Sequence, residues 1–288
     1  MKIGYWAILA LVITGNAAQR VHAQESLSES ATPIHWAFAS LVGTGWYEVD
    51  DGRSAFVVGA TPRQIIRATP EYRPGENAFG IFARYDAAAG VFGIPQFPDI
   101  ADTENFSTIS FTPGVELEIP LREHWRLRPF ANFGWGTALG DGASAWIYYA
   151  GIKSEYLFGF ESRTLAVLNG LYYAGYNPDQ GPSGDLASFF SGLALRHGST
   201  RLRWRREPLD LFWHIGYSVM SDRASFGLRD GGLTSIGNTA EFGLAIALRE
   251  RSFRLWSFEF ERLGLTYSTS GDGEFGALVL NLSSWFTK

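Results

Sequence analysis

Residues 111–139, FTPGVELEIPLREHWRLRPFANFGWGTAL, alternate apolar and polar side chains, break at a short charged turn, and alternate again. Counting back to residue 108, Ile109, Phe111, Pro113, Val115, Leu117 and Ile119 share one face of the first arm. Thr108, Ser110, Thr112, Gly114, Glu116 and Glu118 share the other. In the second arm Trp125, Leu127, Pro129, Ala131, Phe133, Trp135 and Leu139 oppose Arg126, Arg128, Phe130, Asn132, Gly134 and Gly136. A period of two marks a strand whose faces meet different surroundings, so the stretch predicts a hairpin. Its arms cover 108–119 and 125–139, more than twice the length of a typical soluble strand of about five or six residues. Which face is turned inward decides the class of protein.

The charges decide it. A three-residue turn over 121–123 pairs Pro120 with His124, which sets Glu118 opposite Arg126 and Glu116 opposite Arg128. A two-residue turn would set apolar Ile119 opposite Arg126, mixing the faces, and the alternation excludes it. Opposite charges across a ladder contribute about 0.2–1 kcal/mol per pair. An arginine on a lipid-facing wall at mid-membrane would cost about 2–4 kcal/mol. The charged face therefore belongs in an enclosed polar interior and the apolar face outside, the reverse of a secreted soluble sandwich. A closed barrel satisfies every backbone group in such a setting, because no strand edge is left over.

The same period recurs along the chain, and helix signals are nearly missing. Leu209, Leu211, Trp213, Ile215, Tyr217 and Val219 oppose Asp210, Phe212, His214, Gly216 and Ser218. Ile236, Ala240, Phe242, Leu244, Ile246 and Leu248 oppose Ser235, Gly237, Thr239, Glu241 and Gly243. Twelve segments follow: 36–47, 53–69, 78–91, 104–119, 125–139, 143–157, 163–176, 184–196, 201–220, 235–248, 253–268 and 273–286. Pro62 interrupts the second and could split it into two short pieces, and Pro208 predicts a bulge or break in the ninth. Connections at 120–124, 197–200 and 249–252 are short; the other set includes the longer 92–103, 177–183 and 221–234, although 48–52, 140–142 and 269–272 in it are short as well. Short turns at one end and longer loops at the other are the outer-membrane pattern. Trp and Tyr near strand ends, in GTGWYEV, SAWIYYAG and LYYAGYN, fit a membrane interface. The fold class predicted is all-β: a transmembrane, antiparallel, up-and-down β-barrel of about twelve strands, with both chain ends on the periplasmic side.

Composition agrees with an exported barrel. Of 288 residues, 46% are hydrophobic and 15% aromatic, and cysteine is absent, which excludes disulfides and thiolate metal sites. Residues 1–23 carry Lys2, an apolar run from Ile8 to Thr14 and the box Val21-His22-Ala23, the layout of a secretory signal peptide. Its removal takes away Lys2 and Arg20 and no acid, leaving 22 basic and 29 acidic side chains, a net charge of −7. That balance argues against a nucleic-acid partner. Residues 24–35 form a short polar lead, and 36–288 form the barrel. The terminal GALVLNLSSWF alternates apolar residues and closes on Phe286, with Thr287 and Lys288 following. It resembles the last-strand sorting signal of bacterial outer-membrane proteins, which implies the barrel-assembly machinery and outer-membrane lipid as partners. Oligomeric state is left open.

Several stretches together resemble the solitary outer-membrane autotransporter-like β-barrel family: GWYEVDDGRSAFVVGATP, STISFTPGVELEIPLREHWRLRPFANFGWG, ASAWIYYAGIKSEY, NGLYYAGYN, REPLDLFWHIGY and FEFERLGLTY. The similarity runs from about residue 36 to 286. It implies a twelve-stranded barrel like an autotransporter translocator without its passenger, in the bacterial outer membrane. It carries over no catalytic residue, cofactor or metal.

Candidate lumen-lining residues are Glu116, Glu118, Arg126, Arg128, Asp210, His214 and Glu241, together with Arg201, Arg203 and Arg205 of STRLRWRREP, which share one face. Glu155, Glu259 and Glu261 supply further counter-charges. Such a ladder either braces a plugged lumen or makes an electrostatic constriction. His35, His124 and His197 lie outside the strands. His214 shares a lumen face with Asp210 and Ser218, but neighbours two apart along a strand are about 7 Å apart, too far for direct catalytic hydrogen bonds. G-x-S-x-G and H-E-x-x-H motifs are absent. Three functions follow in order of expectation: a passenger-less barrel with no catalytic role, a diffusion channel for small solutes, and an outer-membrane lipid-active hydrolase.

Overall fold

The structure is a computed structural model that describes residues 44–49, 53–76, 78–92, 107–138, 144–160, 163–179, 183–204, 207–221, 224–227, 233–249, 253–255, 258–260, 262–273 and 275–281. The leader and lead expected over 1–35 lie outside these residues, as does the end of the sorting signal from 282 onward.

Every regular element among the described residues is a strand. In chain order they are β1 (Thr44–Val49), β2 (Arg53–Ala60), β3 (Arg63–Arg67), β4 (Gly80–Phe92), β5 (Ser107–Arg122), β6 (Trp125–Ala138), β7 (Ser144–Phe160), β8 (Arg163–Pro178), β9 (Gly184–Trp204), β10 (Glu207–Met220), β11 (Ala224–Gly227), β12 (Leu233–Ile236), β13 (Thr239–Leu248), β14 (Phe253–Leu255), β15 (Phe258–Phe260), β16 (Leu263–Ser270) and β17 (Phe275–Asn281). Pairing runs β1–β2–β4–β5–β6–β7–β8–β9–β10–β13–β16–β17, and β17 pairs back onto β1. Both β2 and β3 lie on β4, one against residues 87–92 and the other against 81–84, so together they fill one position in the ring. Pro62 has no N–H to give to the ladder; its carbonyl accepts the Tyr85 N–H at 3.1 Å. The result is a closed, twelve-stranded, antiparallel barrel. Two hairpins stand outside the ring, β11 with β12 and β14 with β15.

The faces fall as the charges required. On β5, Thr112 and Glu116 are 0% and 2% exposed, while Phe111 and Val115 are 50% and 44% exposed. Ile109, Phe133, Trp135, Trp213, Ile215, Phe242, Leu244 and Leu278 are likewise exposed, and Ser110, Arg128, Asn132 and His214 are buried. Soluble proteins bury grease and keep unpaired charge outside; this wall is inverted. Strands β4 to β10 run from 13 to 21 residues, and about 9–11 tilted residues are enough to cross a hydrocarbon core.

Three local expectations are corrected. The β5–β6 register is displaced by two residues, pairing Pro120 with Arg126 and Glu116 with Phe130. The turn is the two-residue Glu123-His124, and the alternation survives because Leu121 is an extra residue between the Pro120–Arg126 and Arg122–Trp125 pairs. A bulge of one residue restores the facing that a plain two-residue turn would lose. Residues 197–200, expected as a turn, lie inside β9, where His197 pairs with Arg163 and Leu211. Gly198-Ser199 has turn composition, yet the chain continues: Gly198 opposes Asp210 and Arg203 opposes Pro208, with 199–202 forming the irregularity that Pro208 signalled. Finally, 253–268 is not one strand but the β14–β15 hairpin followed by β16, and β13 begins at 239 rather than 235.

Three apolar clusters lie inside the barrel. Tyr47, Val57, Ala88, Phe275 and Ala277 cluster inside β1, β2, β4 and β17, and Leu186 of β9 and Met220 of β10 pack against them. Five strand positions separate β2 from β9 in either direction round the ring, so these side chains bridge the barrel. A second cluster, Phe130, Ile147, Tyr149 and Tyr176, lines β6 to β8. A third, Leu168, Phe190, Phe212 and Ala247, lines β8 to β13.

Candidate functional site

The barrel interior holds two charged nodes. Glu116, inward on β5, accepts Arg63 Nη1 at 2.7 Å and Arg84 Nη1 at 3.2 Å. Arg84, from β4, also donates through Nη2 to Asp86 Oδ2 at 2.8 Å, two residues along the same face. Asp86 in turn accepts the hydroxyl of Tyr149 and the amide of Asn132. Asn132 Nδ2 donates to the Thr112 carbonyl at 2.8 Å, and the Thr112 and Tyr149 hydroxyls are 3.1 Å apart. Beside this set, Glu118 takes Arg128 Nε at 2.9 Å and Arg126 Nη1 at 3.6 Å, and Arg128 Nη2 reaches Glu155 at 3.3 Å. The Phe130 ring supports the cations: the Arg84 guanidinium carbon lies 4.6 Å from its centroid and Lys153 Nζ 5.2 Å. The network spans β3 to β7, and alternation along each strand is what brings its members to one side.

The second node centres on Asp210 of β10. Arg196 of β9 donates to Oδ2 through Nε at 2.7 Å and Nη2 at 2.5 Å. Arg249, just past β13, donates to Oδ1 through Nε at 3.0 Å and to the Ser199 carbonyl at 3.3 Å. The guanidinium carbons of Arg196 and Arg262 lie 5.7 and 5.6 Å from the Phe212 centroid. Buried ion pairs add little net stability when intact, but removal of one partner costs about 3–5 kcal/mol by leaving a charge uncompensated.

His214 is buried between strands. Its Nε2 lies 3.3 Å from Glu241 Oε1 and 3.5 Å from the Thr266 hydroxyl. Gly243 faces it across the ladder, and a Cβ there would overlap the imidazole. Glu241 and Thr266 meet the same ring nitrogen. A catalytic relay instead places the acid and the nucleophile on opposite nitrogens.

The interior therefore gathers Glu116, Glu118, Arg128, Asp210 and His214 as buried groups, with Arg126 and Glu241 half-buried at its edge. Of the expected pairs, Glu118–Arg126 is present, though not directly across the ladder, and Glu116–Arg128 is not: the displaced register gives Arg128 to Glu118, and Glu116 takes Arg63 and Arg84. Arg203 is exposed beyond the β9 irregularity. The Arg201 side chain and Arg205 lie outside the described residues, as do the side chains of Glu259 and Glu261. Arg84 and Asp86 were legible in FARYDAAAG, where they share the face opposite Ala83, Tyr85 and Ala87. Arg196 was hidden by the turn assigned to the residues just after it. Among the described residues no group of three His, Cys, Asp or Glu side chains is placed to hold a metal ion.

No family model matches the chain, and no curated protein matches it.

Proposed function

We propose that this protein is a bacterial outer-membrane barrel whose lumen is closed by its own side chains, serving as a structural or surface-presenting element with no catalytic role. In this reading it resembles an autotransporter translocator that lacks a passenger, inserted through the barrel-assembly machinery by its C-terminal strand. The observation that carries the reading is the inversion of β5 and its neighbours: ionised side chains enclosed and paired, large apolar side chains exposed. An apolar outer wall of this extent needs hydrocarbon around it, since soluble monomers rarely expose contiguous patches above a few hundred Å². A barrel of twelve strands has room for a path, but side chains can close it, and here Leu186 and Met220 meet the opposite wall.

The test is single-channel recording in a planar bilayer, using mature protein shown to be folded by its heat-modifiable gel shift. Folded protein is expected to give no discrete current steps. Reproducible, voltage-stable steps would replace the closed barrel by the diffusion-channel reading.

A further inference from the structure

Outward positions in the middle of the long strands are apolar, as on β5, where they run Ile109, Phe111, Pro113, Val115, Leu117 and Ile119. Strands β8 and β9 break this rule at their centres. On β8 the outward series between Arg163 and Asn177 has Asn169 near its middle; on β9 the series between Asp185 and His197 has Ser191 at its middle. The two residues are directly paired across the ladder, and the Ser191 hydroxyl donates to Asn169 Oδ1 at 3.0 Å. Ser154 of β7 pairs with Asn169 from the other side, and its hydroxyl accepts the Trp125 indole N–H at 2.9 Å. The Asn169 Nδ2 group makes no hydrogen bond among the described residues. Exposed Leu171, Phe189 and Leu193 frame the notch.

We infer that this notch is a docking surface for a second copy of the chain, wall to wall in the membrane, with the Asn169 amides of two copies exchanging hydrogen bonds. The inference rests on the membrane-spanning reading above. At mid-depth the bilayer presents only hydrocarbon, so no lipid group can take the free amide hydrogens; the partner there is protein. Two barrels inserted in the same direction and related by a twofold axis along the membrane normal bring equal depths together. Asn169 then meets Asn169. A carboxamide carries both donors and an acceptor, so it is complementary to itself, and the flanking leucines and phenylalanine close round the pair. An unlike partner would need its own matching amide at this depth; a second copy supplies one by symmetry.

The chain has no cysteine, so a Leu171→Cys variant, on the exposed rim of the notch, keeps Asn169 and reports on this position alone. In liposomes under mild oxidation, Leu171→Cys is expected to give a disulfide-linked dimer. Leu265→Cys, on the exposed face of β16, is expected to stay monomeric. Asn169→Leu should keep the heat-modifiable gel shift yet halve the particle mass measured by light scattering in mild detergent. Equal cross-linking of the two cysteine variants, or an unmodified chain that is monomeric at every concentration, would overturn the docking surface. Labelling of the Leu265→Cys variant by a water-soluble maleimide in detergent-free liposomes would instead overturn the membrane-spanning reading, and the dimer with it.

Discussion

Glu116 and Asp210 make the same arrangement in different settings. Each is a buried carboxylate that takes two arginines, with four strands of the ring between them. Around Glu116 the arrangement is deeper on one side and connected: the Arg63 side chain is 29% exposed, but the Arg84 side chain is 8% exposed and passes on to Asp86, Asn132 and Tyr149. Around Asp210 it is shallow and nearly terminal: the Arg196 and Arg249 side chains are 31% and 35% exposed, and the chain of contacts ends at a backbone carbonyl. An ion pair is worth what its surroundings allow. Where water reaches the cations, screening softens the loss of a partner; where it does not, the loss falls on the whole network.

That contrast sets an order of effects. Glu116→Leu leaves Arg63 and Arg84 without their shared carboxylate and is expected to cost about 3–5 kcal/mol, read as a shift in the urea midpoint of barrel unfolding from liposomes. Its outward neighbour sharpens the comparison between faces. Val115→Arg should cost about 2–4 kcal/mol in a bilayer, whereas on a water-facing strand it would change stability by a few tenths. Asp210→Asn should cost about 1–3 kcal/mol, less than Glu116→Leu; a larger loss at Asp210 would break the depth argument. Arg126→Gln, which removes the longest and most exposed contact of Glu118 at 3.6 Å, should change the same midpoint by less than about 1 kcal/mol.

How much of this was legible in the sequence varies along the wall. On β5 and β6 the assignment of faces was complete, because each arm sets large apolar residues against mostly small or charged ones. The twelve-strand count also stood, since Pro62 splits a strand without splitting the ring. Register was not legible. One bulged residue, Leu121, moved Glu116 to new partners and brought Arg128 onto Glu118 while leaving every face unchanged, and alternation is blind to a displacement by two. From β9 onward, turn composition misled. Gly198-Ser199 reads as a turn but widens a strand, and 253–268 alternates well enough to pass for a strand although a hairpin and a separate strand share it. The network itself was half visible. Charges on β5, β6, β10 and β13 were found, but Arg84 and Asp86 of β4, Arg63 beside Pro62 and Arg196 beside the false turn were missed, because the faces of their strands were not read.

The inverted wall is the central claim, and adjacent positions on β5 test it most directly. Phe111→Cys and Thr112→Cys, each the single thiol in its chain, would be labelled with a small environment-sensitive fluorophore after folding into liposomes containing nitroxide-bearing acyl chains. The account predicts that the label at 111 is accepted and strongly quenched from within the lipid, while the thiol of Thr112→Cys resists labelling until the barrel is unfolded. A label at 111 that is quenched by iodide in the aqueous phase and ignored by the lipid nitroxide would contradict it.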